Sequence, residues 1–139
     1  MEDLLAADYQ ALSDFRYQIR KFLHFSEEAA RTERLEPRQH QMLLAIKALV
    51  KRDGPMVGDL AAHLLIRHHS AVGLLDRLEE RQLIQRVRAS DGDRRQVFVH
   101  LTRKGEAKLK RLTSVHLVEL RTSGPELVRA LQALIREGE

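Results

Sequence analysis

The chain has 139 residues, 43% hydrophobic and 32% charged, enough for one domain, or one with appended helices, to bury a core. Its 24 Lys and Arg against 20 Asp and Glu give a formal net charge of +4 and a pI near 9.8, which tilts toward an anionic partner without deciding one. The absence of cysteine excludes disulfides, thiolate metal sites and thiol-based peroxide sensing, while the acidic start Met1-Glu2-Asp3 and the lack of any apolar run near ~20 residues imply a cytoplasmic protein with no membrane partner.

From about Asp8 to Arg31 there is no Gly or Pro, and Leu12, Phe15, Ile19 and Phe22 recur at a 3-4-3 spacing, which predicts a long amphipathic first helix with a narrow apolar seam. Glu36-Pro37 starts a second helix, carried by Met42, Ile46 and Leu49 and stopped at Asp53-Gly54-Pro55. A short third helix spans Val57 to Leu65, with Leu60, Ala61 and Leu64 on one face. After Ile66 a fourth begins, in which Ala71, Leu74, Leu75 and Leu78 share the buried face while His69, Val72, Gly73 and Asp76 point away, with Ser70 and Arg77 on a flank.

Beyond Gln82 the period changes to two. Ile84 to Arg88 and Gln96 to Leu101 read as two strands joined by Ser90-Asp91-Gly92-Asp93-Arg94-Arg95, a hairpin turned by Asp-Gly and tipped with arginine. Thr102 then caps a helix marked by Leu109, Leu112 and Leu120, expected to stop at Ser123-Gly124-Pro125, and a last helix over Pro125 to Glu137 would bury Leu127, Leu131 and Leu134. The basic excess is central: residues 60–105 carry 9 basic and 5 acidic groups, whereas 1–36 carry 5 and 8. The fold class expected is mainly α (α+β). Its physical sense is two elements for adjacent grooves of one duplex, a helix for the major groove and an extended arginine for the narrow minor groove.

The stretch Leu35-Glu36-Pro37-Arg38-Gln39, then Asp59-Leu60-Ala61, Leu75-Asp76-Arg77-Leu78-Glu79, Leu83-Ile84-Gln85-Arg86, and Asp93-Arg94-Arg95 with Leu101-Thr102 and Gly105, resembles in order and spacing the multiple-antibiotic-resistance-regulator (MarR) family. The resemblance implies a winged helix-turn-helix flanked by dimerisation helices and an obligate homodimer. Each subunit would place a recognition helix in one half of a pseudo-palindrome and a wing in the flanking minor groove. Divided accordingly, residues 1–36 are an N-terminal dimerisation helix, 37–105 the DNA-binding domain and 106–139 C-terminal dimerisation helices. In the wing motif matched by Asp93 and Arg95 the arginine is the minor-groove residue, and Asp93 would orient it. The resemblance also implies a small aromatic or anionic effector that weakens DNA binding, a transcriptional regulator, and repression as the commoner mode.

Three positions depart from the family pattern. Gln82 stands where Gly is usual, so a left-handed backbone there would cost energy and the recognition helix is expected to end differently. Arg67 stands where a Ser or Asp cap is common, with His68-His69 in the first turn. Gly73 lies at the centre of the outward face, where a longer reading side chain is frequent.

The DNA-binding candidates are therefore Arg67, His68, His69, Ser70, Val72, Gly73, Arg77, Asp93, Arg94 and Arg95. Arg94 and Arg95 on their own read as a solvated turn; in this helix-helix-hairpin order they read as DNA contacts. Arg77 has two readings, a phosphate contact or an ion pair with an acid such as Asp93. Five of six aromatics, Tyr9, Phe15, Tyr17, Phe22 and Phe25, fall in the first helix and fit a dimer core or an effector pocket, for which Arg20, His24 and His40 are the polar candidates. His63, His68 and His69 lack an acidic or Cys ligand at a familiar spacing, so no metal is expected. No nucleophile with an adjacent base, paired-carboxylate site or phosphate loop is present at the required spacing, and neither catalysis nor a cofactor is expected. The rival reading is a winged-helix module that binds protein, for which the arginine tip has no use.

Overall fold

A computed structural model describes residues 3–136 of the chain. Five helices and one hairpin follow in the order α1 Ala6–Thr32, α2 Pro37–Ala48, α3 Val57–Leu64, α4 His68–Glu80, β1 Ile84–Arg88, β2 Val97–Leu101 and α5 Arg103–Ile135. The fold is mainly helical, with a winged helix-turn-helix at its centre. The chain divides into two compact units, one built from the ends of the chain up to Ala29 and from Thr113, the other from Ala30–Leu112. Residues 30–36 and 106–112, assigned from the sequence to the flanking helices, fall in the winged unit.

Local chemistry explains where the helices begin. The N–H of Leu5 donates to Asp8 Oδ2 at 2.7 Å, that of Glu36 to Gln39 Oε1 at 2.9 Å, and that of Met56 to Asp59 Oδ2 at 2.9 Å. In each case a side chain three residues on satisfies a backbone donor that the helix cannot. At the start of α5 the expected cap forms: Thr102 Oγ1 accepts the Gly105 N–H at 3.1 Å and donates to the Gln82 carbonyl at 2.6 Å. No side chain caps α4, whose preceding residue is Arg67.

Three helices end in a left-handed residue that is not glycine: Arg34 (φ 60°), Leu65 (φ 57°) and Gln82 (φ 62°). Each is followed by a paired closure. After α4, Gln82 N–H meets the Glu79 carbonyl at 2.9 Å and Leu83 N–H meets that of Leu78 at 2.9 Å. Leu83, Leu78, Ile66, Ala61, Leu35 and Ala30 carry these closures; all but Ile66 are buried, so packing offsets the strain of a side chain at positive φ. The expectation that α4 would end differently for want of glycine is therefore corrected, since Gln82 adopts the glycine conformation.

Two further boundaries differ from the sequence reading. The second helix stops at Ala48 rather than running to Asp53, because the following segment turns to join the hairpin, where the Pro55 carbonyl accepts the Val99 N–H at 2.9 Å. The C-terminal region is one helix, not two: α5 passes through Ser123-Gly124-Pro125 without interruption. Pro125 removes the main-chain donor that would meet the Arg121 carbonyl, and the helix nonetheless continues to Ile135, with Ala130 again buried beyond the proline. Glu137, the expected end of the last helix, lies outside the described residues.

The core of the winged unit is built from Met42, Leu43, Leu60, Leu75, Leu78, Leu83, Ile84, Val99 and Leu112, all fully buried. Each such side chain stabilises the fold by roughly 1.5–3 kcal/mol relative to exposure. The strands pair antiparallel, Ile84 opposite Leu101 and Arg88 opposite Val97, so that Ile84 and Val99 face the core. Gly105 is where α5 crosses the end of α4: a Cβ there would lie 2.1 Å from the Leu83 carbonyl oxygen, which accepts the Thr102 N–H. No helix among the described residues is long and apolar enough to cross a membrane.

Candidate nucleic-acid interface

The site is built on α4 and the hairpin. Burial of Ala71, Leu74, Leu75 and Leu78 fixes the rotation of α4, so the opposite side must face solvent. Arg67, His68, His69, Asp76 and Arg77 are exposed there, while Ser70, Val72 and Gly73 are half-buried. A Cβ on Gly73 would meet nothing within 4 Å, so the centre of this face is open space rather than a packing requirement. All but Asp76 are sequence candidates, and the structure places them on one helix as expected.

The hairpin tip carries the rest. Asp93, Arg94 and Arg95 are exposed, and Gly92 takes the left-handed conformation (φ 63°) that the turn requires. Asp93 grips Arg95 at both ends: Oδ1 accepts its backbone N–H and its Nε–H at 3.0 Å, and Oδ2 accepts from its terminal nitrogen at 3.2 Å. These bonds hold the Asp93 carboxyl below the usual carboxylate range. The Arg95 side chain is nonetheless 91% exposed, so it is oriented without being covered. Arg77 does not pair with Asp93, which is taken by Arg95, and among the described residues it makes no ion pair.

A feature not read from the sequence joins the two elements. Arg86, on β1, donates to Asp76 Oδ1 and to Glu79 Oε1, each at 2.7 Å, and its backbone N–H donates to Glu79 Oε2 at 3.1 Å. The side-chain bond from Arg86 is the main cause that holds Glu79 below its ordinary pKa, against the opposing effect of burial. Alternation had placed Arg86 on the strand and helical spacing had placed Asp76 on the outward face. Neither signal reports that the chain reverses tightly enough at Leu83 to bring them together.

The three effector candidates are not gathered in one unit. Arg20 and His24 are exposed on α1 in the unit formed by the chain ends, whereas His40 is 3% exposed in the core of the winged unit. In the former unit Phe22 and Phe25 meet the His116 ring edge-on, at 6.0 and 5.3 Å between centroids, and His116 Nε2 lies 2.8 Å from Ser26 Oγ.

The sequence model of the MarR family matches residues 35–96, which take in α2, α3, α4, β1 and the wing tip. The winged block is that of the MarR family. Solved structures extend the likeness over more of the chain. AbsC, a MarR family transcriptional regulator from Streptomyces coelicolor, superposes with a TM-score of 0.76 at 20% identity over 91% of this chain and 84% of that one. MepR, a transcription regulator of the Staphylococcus aureus multidrug efflux pump MepA, gives 0.69 at 23% identity, over 78% and 77%. The S. aureus MepR–DNA complex gives 0.66 at 23% identity, over 83% and 80%. These structures share the MarR fold with the chain. No curated protein sequence matches it.

Proposed function

We propose that the chain is a sequence-specific DNA-binding transcriptional regulator that acts as a homodimer, each protomer setting α4 in the major groove and Arg95 in the flanking minor groove of one half of a pseudo-palindromic operator, and that it represses by occupying that operator. The observation that carries the reading is Arg95: an almost wholly exposed guanidinium, held at a fixed angle by Asp93, at the tip of a hairpin that adjoins an exposed, cationic helix face. Exposed charge held in place is what an arginine needs to enter a narrow groove without losing conformational freedom on binding. The MepR–DNA complex among its structural neighbours supports the same use of the fold.

The second copy is called for by the unit at the chain ends. There Leu12, Leu23, Leu117, Val118, Val128 and Leu131 are exposed on two helices, apolar side chains that a second copy would cover. A small aromatic or anionic effector that loosens DNA binding belongs to the same reading, with Arg20 and His24 open to it; His40 is closed to ligands in the conformation described. Gel shift of the full chain on mixed-sequence duplexes at rising salt is the first test. Binding that weakens steeply with salt supports the regulator, and no binding at low salt leaves the protein-adaptor reading.

A further inference from the structure

Arg86 connects the two elements that the proposed function sends into different grooves. Its side chain is 24% exposed, and its donors turn toward α4. The terminal nitrogen reaches Asp76 and Glu79 at once, Nε adds a bond to Glu79 Oε1 at 3.3 Å, and the main-chain N–H of the same residue takes the other Glu79 oxygen. One residue of the strand thus grips two successive turns of the helix. A planar guanidinium with donors at fixed angles sets both distance and orientation, which a single point charge cannot. The other hairpin arginines differ: Arg88 donates to the Arg94 carbonyl at 3.3 Å, and Arg95 pairs with Asp93 within the tip.

We propose that Arg86 is a positioning residue, which touches no DNA and, by clamping Asp76 and Glu79, holds the wing at a set distance and angle from the recognition helix so that one protomer reads the major and minor grooves in a single register. The proposal rests on the DNA-binding reading above. It also assigns Asp76, on the outward face of α4, to the clamp rather than to base contact, and it gives the clamp a second effect: two carboxylates that would repel phosphates share a cation that offsets one of their two charges.

Arg86→Lys keeps the charge and loses the geometry; Asp76→Ala removes the acceptor from the other side. In the free protein, Arg86→Lys is expected to speed hydrogen exchange of the amides in β1 and β2 while those of α2 and α3 stay unchanged. On the preferred duplex it is expected to lower affinity about tenfold to a hundredfold with an unchanged salt slope. Selection by the variant should flatten the preference at the flanking minor-groove positions and keep it at the major-groove ones. The double variant should bind no worse than the weaker single variant. Wild-type exchange and affinity in Arg86→Lys would overturn the proposal by showing that charge alone suffices. A reduced salt slope, or additive losses in the double variant, would overturn it by showing that Arg86 or Asp76 meets DNA independently. The exchange measurement needs no DNA, so a wild-type chain that binds no duplex overturns the regulator reading and leaves the clamp to be judged on exchange.

Discussion

Gln82 holds a backbone conformation that glycine would take at lower cost. A left-handed L-residue costs roughly 1–2 kcal/mol, and glycine's greater freedom in the unfolded chain returns about half of that. Gln82→Gly should therefore stabilise the protein by about 0.5–1 kcal/mol, read as a higher urea midpoint at unchanged slope; a lower midpoint would mean that the Gln82 side chain contributes contacts of its own. Gly105 is the opposite case, because a Cβ there meets the Leu83 carbonyl oxygen at 2.1 Å and the backbone must move. Gly105→Ala should destabilise by about 1–3 kcal/mol in the same measurement, and a neutral result would contradict the crossing described. Glu79 adds a pH dependence. Its pKa is lowered from 4.5 on folding, mainly by the Arg86 bond, so its contribution is present above about that value and is lost as pH falls through the lower, folded-state one. Acid unfolding of Glu79→Gln should accordingly show a smaller loss of stability between pH 6 and pH 3 than wild type.

The recognition helix is the element whose start is left open. Helices α1, α2, α3 and α5 each begin with a side-chain hydrogen bond, whereas α4 has Arg67 at its cap and none. On the proposed function a DNA phosphate would accept from its first N–H groups, favoured also by the helix dipole. The amides of His68, His69 and Ser70 should exchange faster in the free protein than on operator DNA, and equal protection in both states would remove the phosphate from this role. Legibility also varied by element. Apolar spacing was enough for α1 to α4, and Asp-Gly with period two for the hairpin, because these signals are local. Ser123-Gly124-Pro125 looked like a stop because propensity is local too, while the packing that carries α5 past it is not. His40 looked like a candidate for an effector although it shares the buried face of α2 with Leu43, one turn on, so a signal against that role was present in the spacing.

At the scale of the molecule, the account needs two protomers, each with a fixed pair of reading elements. A second copy would cover the exposed apolar residues of α1 and α5, and the proposed Arg86 clamp, with the Asp93–Arg95 pair, would make the helix and wing act as one unit. What the sequence could not supply was contact across a tight reversal of the chain: the candidate DNA contacts were legible because they lie opposite an apolar stripe or at a turn, and the clamp between Arg86 and α4 was not. Selection of bound duplexes from a random pool by the full chain tests the central claim most directly. The account predicts enrichment of an inverted repeat whose half-sites lie about one helical turn apart, roughly 34–36 Å centre to centre, or a multiple of it, flanked by A/T-rich steps where Arg95 enters. A pool that shows no enrichment, or an enriched single site without its inverted copy, would contradict it.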